Sequence, residues 1–397
     1  MPEPVKVGVF FGSRSVEHEV SVITAQQAMA AMPSERMIPV PVYIAKSGAW
    51  YTGAPLLQLE RYKDIDRLIA SATRVTMRPE PGTGGELTEV DGRRGLLGGS
   101  SRSAARFDVA MPLVHGSNGE DGTLQGLFEL ANVPYCGCDV ASAAVSMDKR
   151  LARTTLRGAG LPVLDDVAVA RARWLENAGA VCAELESSPG YPMYVKPLRL
   201  GSSIGVSRVE TREQLDAALD LAFRYDTSIL AEAAQDGIVE INCSVLGHGD
   251  DLEVSVCEQP TSNGTLSYAD KYLSGGKGKG GAKASATGMK SARRVIPAPL
   301  SAALTRRIQE AAKAAFRAIG AAGVARVDFL VLPDRDSFLI NELNTLPGSL
   351  SFYLWEASGM TFQTLLIRLV EMATARQRER EATTSSIDTW LLTGRPG

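Results

Sequence analysis

The sequence contains few of the residues that build transition-metal sites and disulfide frameworks. Its 397 residues include five cysteines and only three histidines, which stand far apart at His18, His115 and His248. An odd number of cysteines in apolar surroundings argues against a disulfide framework. Cys136 and Cys138 form a Cys-Gly-Cys pair that could bind metal or act in redox chemistry, but no second pair stands at ligand spacing, which favours structural thiols. The chemistry is therefore expected to rest on carboxylates, lysines and hydroxyls.

The sequence also lacks long apolar runs and an excess of positive charge. No apolar run approaches the roughly 20 residues of a membrane span, and the N-terminus has no signal-peptide pattern. A net charge of −3 without a basic cluster gives no support to nucleic-acid binding. We therefore expect a cytoplasmic protein with no membrane or nucleic-acid partner, and its length fits two or three domains.

The clearest functional pattern is a predicted hairpin late in the sequence, where two apolar runs flank the turn at residues 333–336. Alternate residues of a strand share a face, so Arg326 lies beside Asp328, and Glu342 beside Asn344. If these faces meet, the carboxylate and amide oxygens form a cluster that suits Mg²⁺ better than zinc. A solvated acidic face is the alternative. However, Glu342 and Asn344 interrupt a run of buried character, where a charge usually has a partner or an ion.

The beginning of the sequence has the order strand, polar turn, helix and strand, which is typical of a doubly wound α/β domain. Ligands of such domains lie at the carboxyl ends of the strands, which is where Glu17 stands; a glutamate favoured by the helix dipole is the alternative. A second site candidate is the polar, glycine-rich loop at 115–122. Residues 52–106 are interpreted as a surface insertion carrying short strands.

Two further segments suggest a site for an anionic ligand. Lys196 ends an apolar strand and precedes Gly-Ser-Ser-Ile-Gly at 201–205, where backbone amides and hydroxyls can hold phosphate oxygens. A lysine snorkelling at a sheet edge is the alternative. The segment 273–294 is rich in glycine and lysine, a composition typical of a flexible linker or of a mobile lid over an anion.

Together these segments resemble the D-alanine:D-alanine ligases of the ATP-grasp superfamily. Six motifs in order carry the resemblance, at residues 15–21, 115–122, 147–149, 196 with 201–205, 271–273 and 326–348. The resemblance implies an α/β fold in which an N-terminal doubly wound α/β domain is followed by two ATP-grasp subdomains that sandwich ATP. The implied units are 1–142 with the insertion at 52–106, 143–226, 227–376 with the lid at 273–294, and a weakly packed tail at 377–397.

The resemblance also implies roles for individual residues. The implied catalytic residues are Glu17, Ser202, Tyr272, Arg326 and Gly348. The implied amino-acid-binding residues are Glu17, His115, Ser349, Tyr353 and Leu354. The implied ATP-binding residues are Lys149, Lys196, Ser203, Glu232, Glu240 and Lys271. Two Mg²⁺ ions, with Mn²⁺ as a substitute, would be held by Asp328, Glu342 and Asn344.

The implied activity is the ATP-dependent joining of two D-alanines through an acyl phosphate, in a homodimer that supplies peptidoglycan precursors. The sequence departs from the family pattern at 349–355, where members usually have a Phe/Met-Thr pair and a serine for the carboxylate of the second substrate. Tyr353 stands about where that serine is expected. A dipeptide ligase with D-serine or a specialised acceptor therefore stays open. A catalytically silent nucleotide-binding protein is a third alternative, against which the complete set of charged positions argues.

Overall fold

The computed structural model describes residues 3–90, 102–261, 294–334, 336–384 and 386–387. The predicted site residues Lys271 and Tyr272, and all of the predicted lid except Arg294, lie outside this part of the chain. Within it, the strands form three sheets. None of the described helices is long and apolar enough to cross a membrane.

The first sheet forms the N-terminal unit, with β1 in parallel between β2 and β7. Both faces of β1 are covered, so nearly all of its residues are apolar and buried. The predicted insertion at 52–106 extends this sheet with antiparallel strands. The strands are β1 (Val5–Gly12), β2 (Met37–Ile44), β3 (Trp50–Thr52), β4 (Thr73–Met77), β5 (Glu86–Glu89), β6 (Ser103–Arg106) and β7 (Val109–Pro112); the helices are α1 (His18–Ala31), α2 (Ile65–Ala70) and α3 (Thr123–Leu130).

The second sheet is small and antiparallel, in the order β10-β9-β11-β8. Two helices precede it, α4 (Val140–Met147) and α5 (Lys149–Gly158), and its own elements are β8 (Val167–Ala170), α6 (Arg171–Glu176), α7 (Ala178–Ser187), β9 (Met193–Pro197), β10 (Ser207–Val209), α8 (Arg212–Phe223) and β11 (Ser228–Ala233). The predicted boundary at 226 differs from the structure. Because β11 pairs with β8 and β9 and buries Ile229 and Ala231 among their apolar residues, this unit extends to Ala233.

The third sheet has the order β14-β13-β12-β15-β16. Its elements are β12 (Val239–His248), β13 (Asp251–Pro260), β14 (Arg294–Val295), α9 (Ala302–Ile319), β15 (Ala322–Val331), β16 (Phe338–Asn344), α10 (Phe352–Ala357) and α11 (Phe362–Glu381). The predicted second unit, 143–226, includes α5 and all but the first three residues of α4. Instead, Ala143, Ala152 and Leu156 pack into the core of the third sheet beside Ile241 and Val327.

The last helix continues beyond the predicted start of the tail at 377. Gln377 is buried, and its side-chain amide donates a hydrogen bond of 2.8 Å to Asn132 Oδ1 in the N-terminal unit. The helix is therefore still packed at Gln377 and continues to Glu381. All five cysteines, including the Cys136 and Cys138 pair, are buried free thiols; burial raises the pKa of Cys136 to about 12, which suits a structural thiol.

Candidate active site

The predicted hairpin is present, and its register brings the predicted polar residues together. Asp328 lies opposite Glu342 and Arg326 lies opposite Asn344, with a bulge directly after Asp328. The Arg326 guanidinium donates from Nε and Nη2 to the two Asp328 oxygens, each at 2.6 Å. Asn344 Nδ2 donates to Asp328 Oδ2 at 3.0 Å. The shared face is therefore confirmed, and Asp328 is held by a bidentate ion pair.

The polar residues continue as a row across the third sheet. Asn242 of β12 lies opposite both Asp328 of β15 and Glu258 of β13, so the row reads Glu258, Asn242, Asp328, Glu342. Asn242 Nδ2 donates to Glu258 Oε1 at 3.1 Å. Its Oδ1 is buried and accepts no hydrogen bond from the residues that the structure describes. Asn242 and Glu258 were not predicted as site residues, since a polar row across four strands is visible only once the register is known.

A cavity of about 350 Å³ lies between the second and third sheets. Lys149 at the start of α5, Lys196 of β9, and Glu342 line it together with Ser203 and Glu240. The remaining lining is partly apolar, from Leu164, Val206, Ile238 and Leu330. Lys149 Nζ donates to the Leu200 carbonyl at 2.6 Å and lies 3.9 Å from Glu342 Oε2. The cavity therefore combines an apolar wall with two cations beside the acidic hairpin. This combination suits a nucleoside triphosphate, with the base on the apolar wall and the phosphates near the cations.

Glu232 joins two buried cations at the wall of this cavity. Lys196 Nζ donates to Glu232 Oε1 and Arg153 Nη2 to Glu232 Oε2, both at 2.6 Å. Burial alone would raise the pKa of Glu232, but the charges of Lys196 and Arg153 lower the pKa below its ordinary value. Both carboxylate oxygens are thus engaged within the protein. Arg153 was not predicted as a site residue, because a helix residue four positions after Lys149 gives no local sign of its burial.

The N-terminal unit meets the second sheet at Glu17. The Ser202 hydroxyl donates to Glu17 Oε1, and the carboxylate makes no hydrogen bond as the cap of α1. Gly116 approaches so closely that a Cβ there would lie 2.6 Å from Glu17 Oε2, and its φ of +72° also favours glycine. The predicted pair of Glu17 and Ser202 is therefore brought together, and the helix-dipole alternative does not explain this contact.

Glu120 is a further carboxylate of the 115–122 loop that was not predicted individually. Its Oε2 accepts from the Gly116 amide at 2.7 Å and its Oε1 from the Leu346 amide at 3.2 Å. Burial, with the negative charges of Glu17 and then Glu342, raises the pKa of Glu120 to about 8. The side chain thus connects the N-terminal loop to the turn that follows Asn344.

His115 lies in the same loop and is fully enclosed. Its Nε2 is 2.9 Å from the Thr24 hydroxyl of α1, and its side chain is 3% exposed. Burial, together with the positive charge of Arg326, lowers the pKa of His115 to about 4. The imidazole is therefore neutral at physiological pH.

Residues Ser349, Leu350 and Ser351 form a left-handed turn directly after Gly348, with φ values of +52°, +54° and +49°. Contacts to α1 hold the turn: Ser349 Oγ donates to Gln27 Oε1 at 2.6 Å, and the Ser349 amide donates to Thr24 Oγ1 at 3.3 Å. The turn leads into α10, where Tyr353 donates to Glu258 Oε1 at 2.8 Å. Leu354 of α10, which was predicted to bind the second amino acid, is 0% exposed within the apolar core, so the structure presents neither its side chain nor its backbone to a ligand.

Comparison with known proteins finds the same family that the sequence motifs resemble, along nearly the whole chain. The sequence profiles described as "D-ala D-ala ligase N-terminus" and "D-ala D-ala ligase C-terminus" match residues 6–138 and 155–371. The D-alanine–D-alanine ligase of Thermosipho melanesiensis is 35% identical over 392 residues, which cover 98% of each chain. The chain belongs to the D-alanine–D-alanine ligase family.

Solved ligase structures also match closely. The D-alanine–D-alanine ligase from Coxiella burnetii has a TM-score of 0.77 at 29% identity, with 96% of each chain covered. The VanG D-Ala:D-Ser ligase from Enterococcus faecalis has a TM-score of 0.75 at 32% identity, with 93% of this chain and 99% of that chain covered. The predicted α/β ATP-grasp fold is thereby confirmed for this ligase-family chain.

The metal-binding prediction for this ligase-family chain depends on the amide of Asn344. Among the described residues, no three His, Cys, Asp or Glu side chains are close enough to hold a metal ion. Asp328 and Glu342 supply two carboxylates, and Asn344 keeps its Oδ1 as the third hard oxygen while its Nδ2 bonds Asp328. The donor set fits Mg²⁺ by its chemistry, although Arg326 has to share the Asp328 carboxylate with the ion.

Proposed function

We propose that the protein joins two D-alanine molecules in an ATP-dependent reaction that yields D-alanyl-D-alanine, ADP and phosphate. The contact between Ser202 and Glu17 carries the proposal. It joins the 201–205 loop, which is expected to bind phosphate, to the residue of the N-terminal unit that is expected to bind the first amino acid. The cations Lys149 and Lys196 lie nearby around one cavity. Membership of the ligase family supports the same assignment.

In the proposed reaction, ATP binds in the cavity between the second and third sheets. Lys149 and Lys196 neutralise its phosphates, and Glu232 and Arg153 keep Lys196 in place. Ser203 and Glu240 line the same cavity, and we assign them to contacting the nucleotide. Asp328, Glu342 and Asn344 would hold two Mg²⁺ ions, which would supply positive charge to offset the negative charge of the ATP phosphates.

The amino acids bind where the N-terminal unit faces the hairpin. Glu17 accepts the ammonium of the first D-alanine, and neutral His115 lies near its carboxyl group. That carboxylate attacks the γ-phosphorus and expels ADP, which gives the acyl phosphate. The free amine of the second D-alanine then attacks the acyl carbon, phosphate leaves, and the amine nitrogen loses a proton. Arg326 and the Gly348 amide stabilise the oxyanion of this second step. Ser349 and Tyr353 border the acceptor. Lys271 and Tyr272 are assigned to closing the site, which protects the acyl phosphate from water.

We also propose that this reaction takes place in the cytoplasm, in a homodimer that supplies peptidoglycan precursors. In a second candidate function, ATP activates the first amino acid in the same way, but the acceptor is D-serine or a specialised amino acid. Tyr353 favours this candidate, since it replaces a small serine by a large ring at the acceptor position.

The deciding experiment measures phosphate release from ATP and Mg²⁺ with D-alanine as the sole amino acid, and identifies the product by mass. D-alanyl-D-alanine is the expected product. Turnover that starts only after a different second amino acid is added would replace the first function by the second. Tight ATP binding without turnover for any acceptor would reject both.

Glu342→Gln tests the metal assignment within the same assay. The variant is expected to lose at least about 100-fold in kcat, because a neutral amide binds Mg²⁺ far more weakly than a carboxylate. Glu356→Gln, an exposed residue of α10, is the matched control and should retain wild-type activity. Near-normal turnover of the Glu342 variant at saturating Mg²⁺ would remove this residue from the ligand set.

A further inference from the structure

A buried network of four side chains lies next to the hairpin, in β12, β13, β14 and α10. Glu258 of β13 is 2% exposed and accepts hydrogen bonds from Tyr353 Oη, from Asn242 Nδ2 and from Arg294 Nη1, the last at 3.0 Å. The Arg294 guanidinium also lies 3.8 Å from the centre of the Tyr353 ring. The network thus joins β12, β13, β14 and α10.

The bonds of this network fix the orientation of Tyr353. Its hydroxyl proton is donated to Glu258, and one face of its ring is covered by Arg294. Glu258 and Arg294 compensate each other's charge, so that neither is left buried without a partner. The ring itself is 5% exposed. Tyr353 is therefore held from the hydroxyl end and from one face, and it cannot change rotamer without breaking a buried ion-pair network.

The network is continuous with the proposed catalytic residues. Asn242 connects Glu258 to Asp328 through the polar row of the third sheet. Tyr353, which donates to Glu258, therefore lies next to the polar row that contains the proposed metal ligand Asp328, and from this position its ring borders the second amino acid.

We propose that Tyr353 determines which second amino acid is accepted, and that Glu258 and Arg294 are positioning residues that hold its ring. This inference rests on the proposed function. Because the hydroxyl donates to Glu258, it is not available as a donor to the acceptor carboxylate, unlike a serine. The ring acts instead as a fixed wall beside the side chain of the second amino acid, which favours small D-amino acids over branched or aromatic ones.

The test compares Tyr353→Phe, Glu258→Gln and Tyr353→Ser with wild type. Products are identified by mass with D-alanine as donor and with D-alanine, D-serine, D-valine or D-phenylalanine as acceptor. Hydroxylamine replaces the acceptor in a parallel assay, since hydroxamate formation reports activation of the first D-alanine without occupying the acceptor position. Tyr135→Phe is the matched control, because buried Tyr135 also donates to a glutamate, Glu129, and lies beside Arg376 and Arg380 far from the site.

Tyr353→Phe and Glu258→Gln are expected to raise the acceptor KM at least tenfold, with hydroxamate formation and the ATP KM within twofold of wild type. Tyr353→Ser should in addition yield products with D-valine or D-phenylalanine. The Tyr135 variant should match wild type throughout. Equal losses in hydroxamate formation and in acceptor use, or an unchanged acceptor range in Tyr353→Ser, would overturn the proposal. If Glu258→Gln does not fold, the isosteric Tyr353→Phe decides.

The outcomes also separate this inference from the proposed function. Wild-type protein that makes neither dipeptide nor hydroxamate overturns the proposed function and the inference with it. Wild-type protein that makes hydroxamate but prefers another acceptor leaves the inference in force, and the variants are then compared on that acceptor.

Discussion

At the scale of single residues, the site uses buried charges in compensated groups. Asp328 is paired with Arg326, and Glu232 is shared between Lys196 and Arg153. A buried charge whose partner is removed costs far more than the intact pair contributes, so these residues respond strongly to single substitutions. His115 is the contrasting case, since burial keeps it neutral.

His115→Gln should remove a pH dependence of stability. The pKa of His115 is about 4 in the folded protein and near 6.5 when unfolded, so the unfolded chain binds more protons between these values. The contribution of neutral His115 is therefore complete above about pH 6.5 and is lost as the pH falls towards 4, by roughly 3 kcal/mol. Urea unfolding at pH 7 and pH 4.5 measures this change. His248→Gln, at an exposed position, is the control; equal pH slopes for both variants would contradict the prediction.

Glu232→Gln should lower the free energy of unfolding by roughly 3 kcal/mol, because Lys196 and Arg153 lose their shared carboxylate. Urea unfolding at neutral pH measures the change. Glu184→Gln is the control: Glu184 pairs with Arg173 at a similar distance, 2.8 Å, but on the exposed surface. Its effect should stay below about 1 kcal/mol. Similar losses in both variants would mean that burial adds nothing to the Glu232 pair.

At the scale of elements, the left-handed turn at 349–351 sets the position of α10. Three consecutive non-glycine residues with positive φ are unfavourable by roughly 1 kcal/mol each. The contacts of Ser349 with Gln27 and Thr24, and the burial of Leu350, hold the turn in this conformation. The strained turn thereby sets the direction in which the chain passes from Gly348 to Tyr353 at the start of α10.

Two substitutions in this turn should have opposite effects on stability. The Ser351 hydroxyl is completely buried and has no hydrogen-bond partner in the described part of the structure, so Ser351→Ala should raise the free energy of unfolding by about 1 kcal/mol. Ser349→Ala removes the bond to Gln27 and should lower it by about 1 kcal/mol. Urea unfolding of both variants provides the measurement. A loss of stability in Ser351→Ala would show that its hydroxyl makes a favourable contact.

At the scale of the whole molecule, the two ends of the chain share one apolar core. Val7 and Val9 of β1 pack in the same cluster as Trp355 of α10 and Leu365 of α11. The second sheet has a separate core with α7 and α8. The N-terminal unit and the final helices should therefore unfold together, independently of the second sheet.

Leu365→Ala should destabilise both ends of the chain, by about 3 kcal/mol, because the side chain is fully buried in their shared core. Hydrogen exchange followed by mass spectrometry should show faster exchange in β1, β7 and α11, with β9 and β11 unchanged. Leu219→Ala, in the core of the second sheet, should give the reverse pattern. Faster exchange confined to α11 would mean that the two ends do not unfold as one unit.

The sequence by itself determined the features that depend on local periodicity. Strand alternation placed Arg326 with Asp328 and Glu342 with Asn344, and the turn at 333–336 favoured their meeting across a hairpin. The motifs in order were sufficient to identify the family.

Only the tertiary structure decided which distant segments meet. The pairing of β11 with β9 extends the second unit from the predicted boundary at 226 to Ala233. The packing of α4 and α5 against the third sheet could not be predicted from the residue patterns of these helices. The same holds for Arg153 beside Glu232 and for Glu258 beside Tyr353, which are 79 and 95 positions apart. Local sequence specifies the face on which a side chain lies, whereas its partner is set by long-range packing and strand register.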